Sequence, residues 1–228
     1  MSLVAIAALV LVEVRGRHPM LSPALFADRS LTGSVGVGLF INLAYYGSLF
    51  VLALHLQRTY HFGPLATGLA LMPQTVATVL GTWVGGKINR RSGRRAPMLV
   101  GLPAGIAGLV LVGLLSTGGV PYWVLVVPMG LIGLGISFSM VAATTAVVEA
   151  APPGQAGLAS GVLNAARQVG SALGVALLGA LLAQGARLSL LVGAAAYAGA
   201  LACAFLVGGT TPRKVVASRS AEATTSAE

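Results

Sequence analysis

Residues 85–101 read GGKINRRSGRRAPMLVG, a basic and glycine-rich run that separates two long apolar stretches. The run holds Lys87 and four arginines and contains no Asp or Glu. The flanking stretches, residues 65–88 and 96–115, are each as long as the about 20 residues that a helix needs to cross a bilayer core. A basic hairpin between two such stretches predicts a loop that joins two membrane-spanning helices.

The composition extends this interpretation from one hairpin to the entire chain. Apolar residues make up 56% of the 228 residues, charged residues make up 8%, and the mean hydropathy is +0.89. These values exclude a soluble globular domain. The apolar runs lack the alternating pattern of a transmembrane barrel, and a backbone in lipid must satisfy its own hydrogen bonds. The sequence therefore predicts an all-α polytopic membrane protein.

Six stretches are long and apolar enough to span the bilayer: residues 31–56, 65–88, 96–115, 122–148, 156–183 and 188–207. Gly and Pro residues in STGGVP (116–121) and APPGQ (151–155) mark two of the connections. Residues 1–14 are apolar but too few to cross, which predicts the end of a truncated transmembrane helix, with a short interfacial helix as the alternative. We expect residues 15–30 to form a cytoplasmic linker and residues 208–228 to form a disordered cytoplasmic tail.

Lys and Arg side chains are concentrated on one side of this predicted six-helix bundle. Eleven of the fourteen fall in the linker, the hairpin and the tail, which six spans place on the same side. Arg58 and Arg187 fall on the other side, and Arg167 falls within a span. Because basic loops remain in the cytoplasm, we expect a multi-pass protein of the cell membrane with a cytoplasmic C-terminus. The basic residues have no aromatic platforms among them, so we expect membrane lipid and not nucleic acid as their anionic partner.

The chain carries few of the groups that catalysis or metal binding requires. It has one cysteine, three histidines and five carboxylates, and no carboxylate lies clearly at membrane depth. The sequence contains no paired nucleophile and base, no phosphate-binding loop and no spacing typical of metal ligands. We therefore expect no enzyme activity, no cofactor and no bound metal.

Polar side chains within the spans are the candidates for a cavity or substrate site. They are Asn42, Tyr45, Tyr46, Gln74, Asn164, Arg167 and Gln168. Arg167 is the strongest candidate. Inserting an arginine near the bilayer centre costs at least about 2.5 kcal/mol of free energy, so its side chain should face protein or water and not lipid. The alternatives are that Arg167 snorkels to the headgroups or pairs with Glu149, and that Asn42 and Gln74 only form hydrogen bonds between helices. Adjacent Tyr45 and Tyr46 lie about 100° apart on a helix, so at most one should point straight into a cavity.

Glycines also recur four residues apart within the spans. The pairs are Gly81 and Gly85, Gly101 and Gly105, Gly157 and Gly161, and Gly170 and Gly174. Because glycine has no side chain, each pair predicts a close approach of a neighbouring helix.

Residues 86–95, GKINRRSGRR, resemble the loop signature of the major facilitator superfamily, G-x-x-x-D-R-x-G-R-R, which joins the second and third helices of each six-helix half. The matching residues are Gly86, Arg91, Gly93, Arg94 and Arg95. Arg90 occupies the place of the signature aspartate. In the family that acid takes part in gating, so the substitution weakens the expectation of a gating role for this loop. Residues 157–182, GLASGVLNAARQVGSALGVALLGALL, are similar to the penultimate helix of the fourteen-helix drug:proton antiporters in that superfamily, and residues 23–31 and 56–73 resemble the same branch.

This resemblance implies the six-helix C-terminal half of a major facilitator fold, preceded by the truncated helix. A whole transporter would then need an N-terminal half, supplied by the same longer chain, by a separate chain or by a second copy in a homodimer. The implied function is proton-coupled efflux of a small amphipathic substrate, which could carry a positive charge. The alternative is a non-transporting membrane fragment or a small membrane interaction protein.

Reporter fusions test the expected orientation. A fluorescent protein fused to the C-terminus should fluoresce, because it folds in the cytoplasm, and alkaline phosphatase inserted after His61 should be active, because it folds outside. Fluorescence and phosphatase activity in whole cells are the measurements. The reverse pattern would contradict the orientation.

Overall fold

The computed structural model describes residues 28–116 and 119–207. The predicted truncated helix, most of the linker and the predicted tail lie outside these described residues. The helices are α1 (Arg29–Thr59), α2 (Pro64–Ala70), α3 (Met72–Ser92), α4 (Arg95–Leu115), α5 (Trp123–Ala150), α6 (Ala156–Leu181) and α7 (Ala186–Leu206), with a short 3-10 helix at Leu182–Gln184.

The prediction of an all-α polytopic membrane protein is confirmed. The described residues hold six helical stretches that are long and apolar enough to cross a membrane, because α2 and α3 together form one of them, Pro64–Ser92. The break between α2 and α3 falls at Leu71 and is followed by Pro73 in the first turn of α3. Proline lacks a backbone N–H, and the first turn of a helix is the position that tolerates this loss.

Helices α1 and α5 form the centre of the bundle. α1 packs against α6 and α7, and α5 packs against α3 and α4. In the most apolar windows, 61% of residues are buried in α1 and 56% in α5, compared with 22% in the α2–α3 stretch and 17% in the stretch that begins with α6. The described residues therefore leave α3 and α6 largely uncovered.

Glycines bring the backbones of α1 and α6 into contact. A Cβ atom on Gly174 would overlap the carbonyl oxygen of Leu43, and a Cβ atom on Gly47 would meet the carbonyl oxygen of Gly174 at 2.6 Å. The predicted glycine pairs of α3 and α4 also face neighbouring helices, where an added Cβ atom would meet side chains of α5 or α7 at 3.0 Å or less. The predicted pair at Gly157 and Gly161 differs, because a Cβ atom added there would meet nothing within 4 Å among the described residues.

Two tyrosines join the loops at the end of the bundle opposite the basic hairpin. The Tyr60 hydroxyl donates to the carbonyl oxygen of Val120 at 2.6 Å, and the Tyr122 hydroxyl donates to that of Ala70 at 2.9 Å. Burial raises the pKa of both phenols above its ordinary value, so both remain protonated donors at neutral pH. The ring of Phe62 lies beside both, 5.7 Å from Tyr60 and 5.8 Å from Tyr122. These contacts fasten the loop between α1 and α2 to the loop between α4 and α5.

Alanine substitutions at two glycines of α6 test the contact between α1 and α6. Gly174→Ala should lower the free energy of unfolding by about 1–3 kcal/mol, because its methyl group would push the α1 backbone away. Gly161→Ala, the matched control, should leave stability unchanged or raise it by about 0.5–1 kcal/mol, because alanine favours a helix. Thermal unfolding of the detergent-purified protein, followed by tryptophan fluorescence, measures both. Equal effects of the two variants would contradict the packing.

Candidate functional site

A cavity of about 570 Å³ lies between α1, α3 and α5. Small-molecule sites in proteins commonly measure about 300–1,000 Å³. Aromatic, aliphatic and hydroxyl side chains line it: Tyr45, Tyr46, Thr78, Thr82, Ile136, Ser137, Met140, Val141, Thr144 and Thr145. A site of this composition offers apolar contact area together with a few polar groups, which suits an amphipathic molecule.

The threonine hydroxyls of the cavity donate their hydrogens to their own helices. The Thr78 and Thr82 hydroxyls donate to carbonyl oxygens one turn earlier in α3, each at 2.9 Å. Thr144 and Thr145 donate in the same way within α5, at 2.8 Å and 3.0 Å. Because each hydrogen is occupied, these hydroxyls present their oxygens to other groups as hydrogen-bond acceptors.

Both Tyr45 and Tyr46 line the cavity, although at most one was expected to point into it. Their rings meet edge to face with centroids 5.4 Å apart. Tyr46 is 43% exposed, whereas Tyr45 is only 9% exposed and packs into the core of the bundle. The cavity is wide enough at α1 to touch two neighbouring positions of the helix.

Arg167 reaches from α6 to α5 at the edge of this cavity. Its Nη2 atom donates to Thr144 Oγ1 at 2.6 Å and to the carbonyl oxygen of Met140 at 3.5 Å. Its methylene groups pass over Gly38, where an added Cβ atom would lie 3.6 Å from Arg167 Cγ. The alternative ion pair with Glu149 does not form, because Glu149 pairs with Arg94. The half-buried Arg167 side chain thus satisfies part of its hydrogen-bonding capacity against the cavity wall.

The four amide candidates lie outside the cavity lining. Asn42 is 3% exposed, and its Nδ2 atom donates to the carbonyl oxygen of Gly38 at 2.8 Å within α1. Gln74 is fully buried in α3, and neither polar atom of its side chain has a partner among the described residues. Asn164 and Gln168 are exposed on α6. The structure therefore places Tyr45 and Tyr46 in the cavity lining and Arg167 at its edge, and it leaves the amides out of the lining.

Two arginines of the basic hairpin hold the ends of neighbouring helices. Arg94 Nη1 lies 3.0 Å from Glu149 Oε2 near the end of α5. Arg95 Nη2 donates to the carbonyl oxygen of Phe205 at 3.2 Å, near the end of α7. The hairpin therefore ties together three helix ends, because α4 begins at Arg95 itself.

The other signature positions of the hairpin are exposed or conformationally special. Gly93 has a φ of 78°, a left-handed conformation that glycine adopts without strain. Arg90 and Arg91 are exposed at the end of α3, and a Cβ atom added at Gly86 would meet nothing within 4 Å among the described residues. Arg90, which replaces the signature aspartate, makes no hydrogen bond or ion pair with the described residues, unlike Arg94 and Arg95.

Sequence reasoning missed the residues that α3 contributes to the cavity. Thr78 and Thr82 lie four residues apart and therefore on one face of the helix, and this spacing was a usable signal. Ile136, Met140 and Val141 carry no polar signal, because an apolar residue in a membrane helix is expected on any face. Only the packing of α1, α3 and α5 identifies them.

The comparison with known proteins assigns the family. Residues 35–227 match the model that describes the Major Facilitator Superfamily. The chain belongs to this superfamily. It is 34% identical over 220 residues to the methylenomycin A resistance protein of Streptomyces coelicolor, covering 93% of this chain and 44% of that protein. It is 32% identical over 180 residues to the multidrug resistance protein Stp of Mycobacterium tuberculosis, covering 79% of this chain and 33% of that protein.

A solved structure supports the fold. The chain superposes on a crystal structure of the peptide transporter POT with a TM-score of 0.69 at 17% sequence identity, covering 87% of this chain and 43% of that one. This similarity concerns the fold alone. The chain spans less than half the length of the two drug-resistance relatives and of this transporter.

Cysteine labelling tests whether the cavity is open to water. In a background without Cys203, the only cysteine of the chain, Thr82→Cys should react with a small water-soluble thiol reagent. Ala142→Cys, the control on α5, should remain unlabelled because Ala142 is fully buried. The rate of labelling in membranes is the measurement. Comparable rates at both positions would argue against the cavity.

Proposed function

We propose that the chain forms the C-terminal half of a transporter that exports small amphipathic compounds across the cell membrane in exchange for protons. The observation that carries this proposal is the cavity, whose tyrosine rings, aliphatic side chains and hydroxyls suit a molecule with both apolar and polar parts. Proteins similar to this chain are named for resistance to methylenomycin A and for tetracenomycin C resistance and export. The basic hairpin would face the cytoplasm, because Lys and Arg are retained on that side.

A second six-helix half would complete the cavity. On α6, the exposed residues Gly157, Gly161, Asn164 and Gln168 fall on one side of the helix. Glycines allow another helix to approach closely, and amides can hydrogen-bond to it within the membrane. This face therefore suits a helix from an N-terminal half, provided by the same longer chain, by a separate chain or by a second copy.

The acids that carry protons would belong to that other half. The described residues include two carboxylates, Asp28 and Glu149. Asp28 caps α1 by accepting from the backbone N–H of Ser30 at 2.7 Å, and Glu149 pairs with Arg94. Both lie at the basic end of the bundle and are already engaged, so neither is placed to exchange a proton with a substrate in the cavity.

Dye export tests the proposed function. Cells that make the protein in its native form should accumulate less of a fluorescent amphipathic dye than cells from which its gene is deleted. A protonophore should remove the difference if protons drive export. Equal accumulation in both strains, over a panel of dyes, would favour the alternative of a membrane protein without transport activity.

Two substitutions at Gly161 test the docking of the second half on α6. Gly161→Leu should reduce dye export about tenfold or more, because the side chain would hold the partner helix away. Gly161→Ser, the matched control, should retain export because serine still permits close approach. Membrane levels of both variants should equal the wild type, since position 161 contacts nothing within 4 Å among the described residues. Full export by Gly161→Leu would contradict the docking face.

A further inference from the structure

Arg167 introduces a positive charge at the wall of a cavity that is otherwise neutral. Among the described residues, it is the only charged side chain that hydrogen-bonds to the cavity lining, through Thr144 Oγ1 and the Met140 carbonyl oxygen. Charged side chains are rare within membrane spans, and those that occur there commonly mark the path of a substrate or ion.

The guanidinium group of Arg167 has donors left over. It carries five N–H donors, and all its hydrogen bonds to the described residues start from Nη2. Nη1 has no hydrogen bond to the described residues, and Nε is buried without a partner among them. Burying an arginine without partners for all its donors costs free energy. An anionic acceptor that enters the cavity would offset part of that cost.

The described residues provide no carboxylate to fill this role. Glu149 is held by Arg94 at 3.0 Å, and Asp28 is held at the first turn of α1. The remaining polar groups of the lining are neutral hydroxyls, and the four threonine hydroxyls already donate their hydrogens to carbonyl oxygens of their own helices. Arg167 is therefore the strongest donor that this half can offer to a molecule in the cavity.

We propose that Arg167 binds the anionic group of the transported compound, so that this half of the cavity selects amphipathic acids over neutral and cationic compounds of the same shape. This inference rests on the proposed function. The apolar body of such an acid would lie against Tyr46 and Met140, and its carboxylate, sulfonate or phosphate would take the free Nη1 donors. Hydroxyl or amide groups of the compound would donate to the oxygens of Thr78 and Thr82. The structure thereby favours an anionic substrate, although the family resemblance allowed a cationic one.

Three probes that share one apolar body test this selectivity. They are pyrenebutyrate, its methyl ester, and a pyrenebutyl-trimethylammonium salt, which present an anion, a neutral group and a cation on the same ring system. The protein is purified as the cell makes it, placed in nanodiscs, and titrated with each probe by fluorescence, with empty nanodiscs subtracted. We expect the anion to bind about tenfold more tightly than the ester, in line with a charge-assisted hydrogen bond.

Substitutions at Arg167 connect this preference to one side chain. Arg167→Gln should weaken binding of the anion about tenfold and leave binding of the ester unchanged, because only the anion interacts with the charge of Arg167. Arg167→Lys keeps the charge and should retain part of the preference. Arg187→Gln, at an exposed position in the first turn of α7, is the matched control and should behave as the wild type.

Each outcome of the titrations bears on a different claim. If the wild type binds the ester or the cation as tightly as the anion, the inference is wrong while the proposed function stands. The inference also fails if Arg167→Gln weakens binding of all three probes equally. That result would indicate that Arg167 only holds α5 and α6 together. If none of the probes binds the wild type, the cavity does not take amphipathic molecules and the proposed function itself is contradicted.

Discussion

The rest of the structure depends on the backbone contact between α1 and α6. With glycine at positions 47 and 174, the two helices pack without intervening side chains there, and the stem of Arg167 passes over α1 beside Gly38. Arg167 can therefore reach Thr144 and Met140 on α5, although α5 and α6 make few other contacts. A helix pair held further apart would leave this arginine in lipid, where its charge is costly. The position of the charged group thus depends on the close packing of α1 and α6.

The fold class could be predicted from the sequence because lipid constrains a chain so strongly. Long apolar runs must be helices, and the basic residues between them mark loops, so residues 85–101 already indicate a helical hairpin in a membrane. The spacing of the glycine pairs predicted helix contacts less reliably. Gly170 and Gly174 contact α1, whereas Gly157 and Gly161 contact nothing within 4 Å among the described residues. The same spacing thus occurs in a contact within this half and on a face that is free to meet another protein surface.

The candidate site could be predicted only in part, because a polar residue in a membrane helix has several ways to satisfy its hydrogen bonds. Arg167 and the adjacent tyrosines were identified from their polarity, and the structure gathers them at one cavity. Gln74 carries the same kind of signal but is fully buried in α3. The threonines of α3 were missed, and their role becomes visible only when α1, α3 and α5 are packed together. Polarity identifies candidates, and the neighbouring helices decide which of them share a site.

The central claim is that the exposed surface of α6 meets a second half of a two-part transporter, with Arg167 at the edge of the cavity between the halves. An electron cryo-microscopy map of the protein, purified with whatever accompanies these residues in the membrane, tests this most directly. We expect a second group of helices packed against Gly161 and Gln168, and the guanidinium of Arg167 enclosed beside Thr144 at the edge of a closed cavity. A map that shows the exposed surface of α6 covered by lipid or detergent, with Arg167 turned towards the headgroups, would contradict this two-part arrangement.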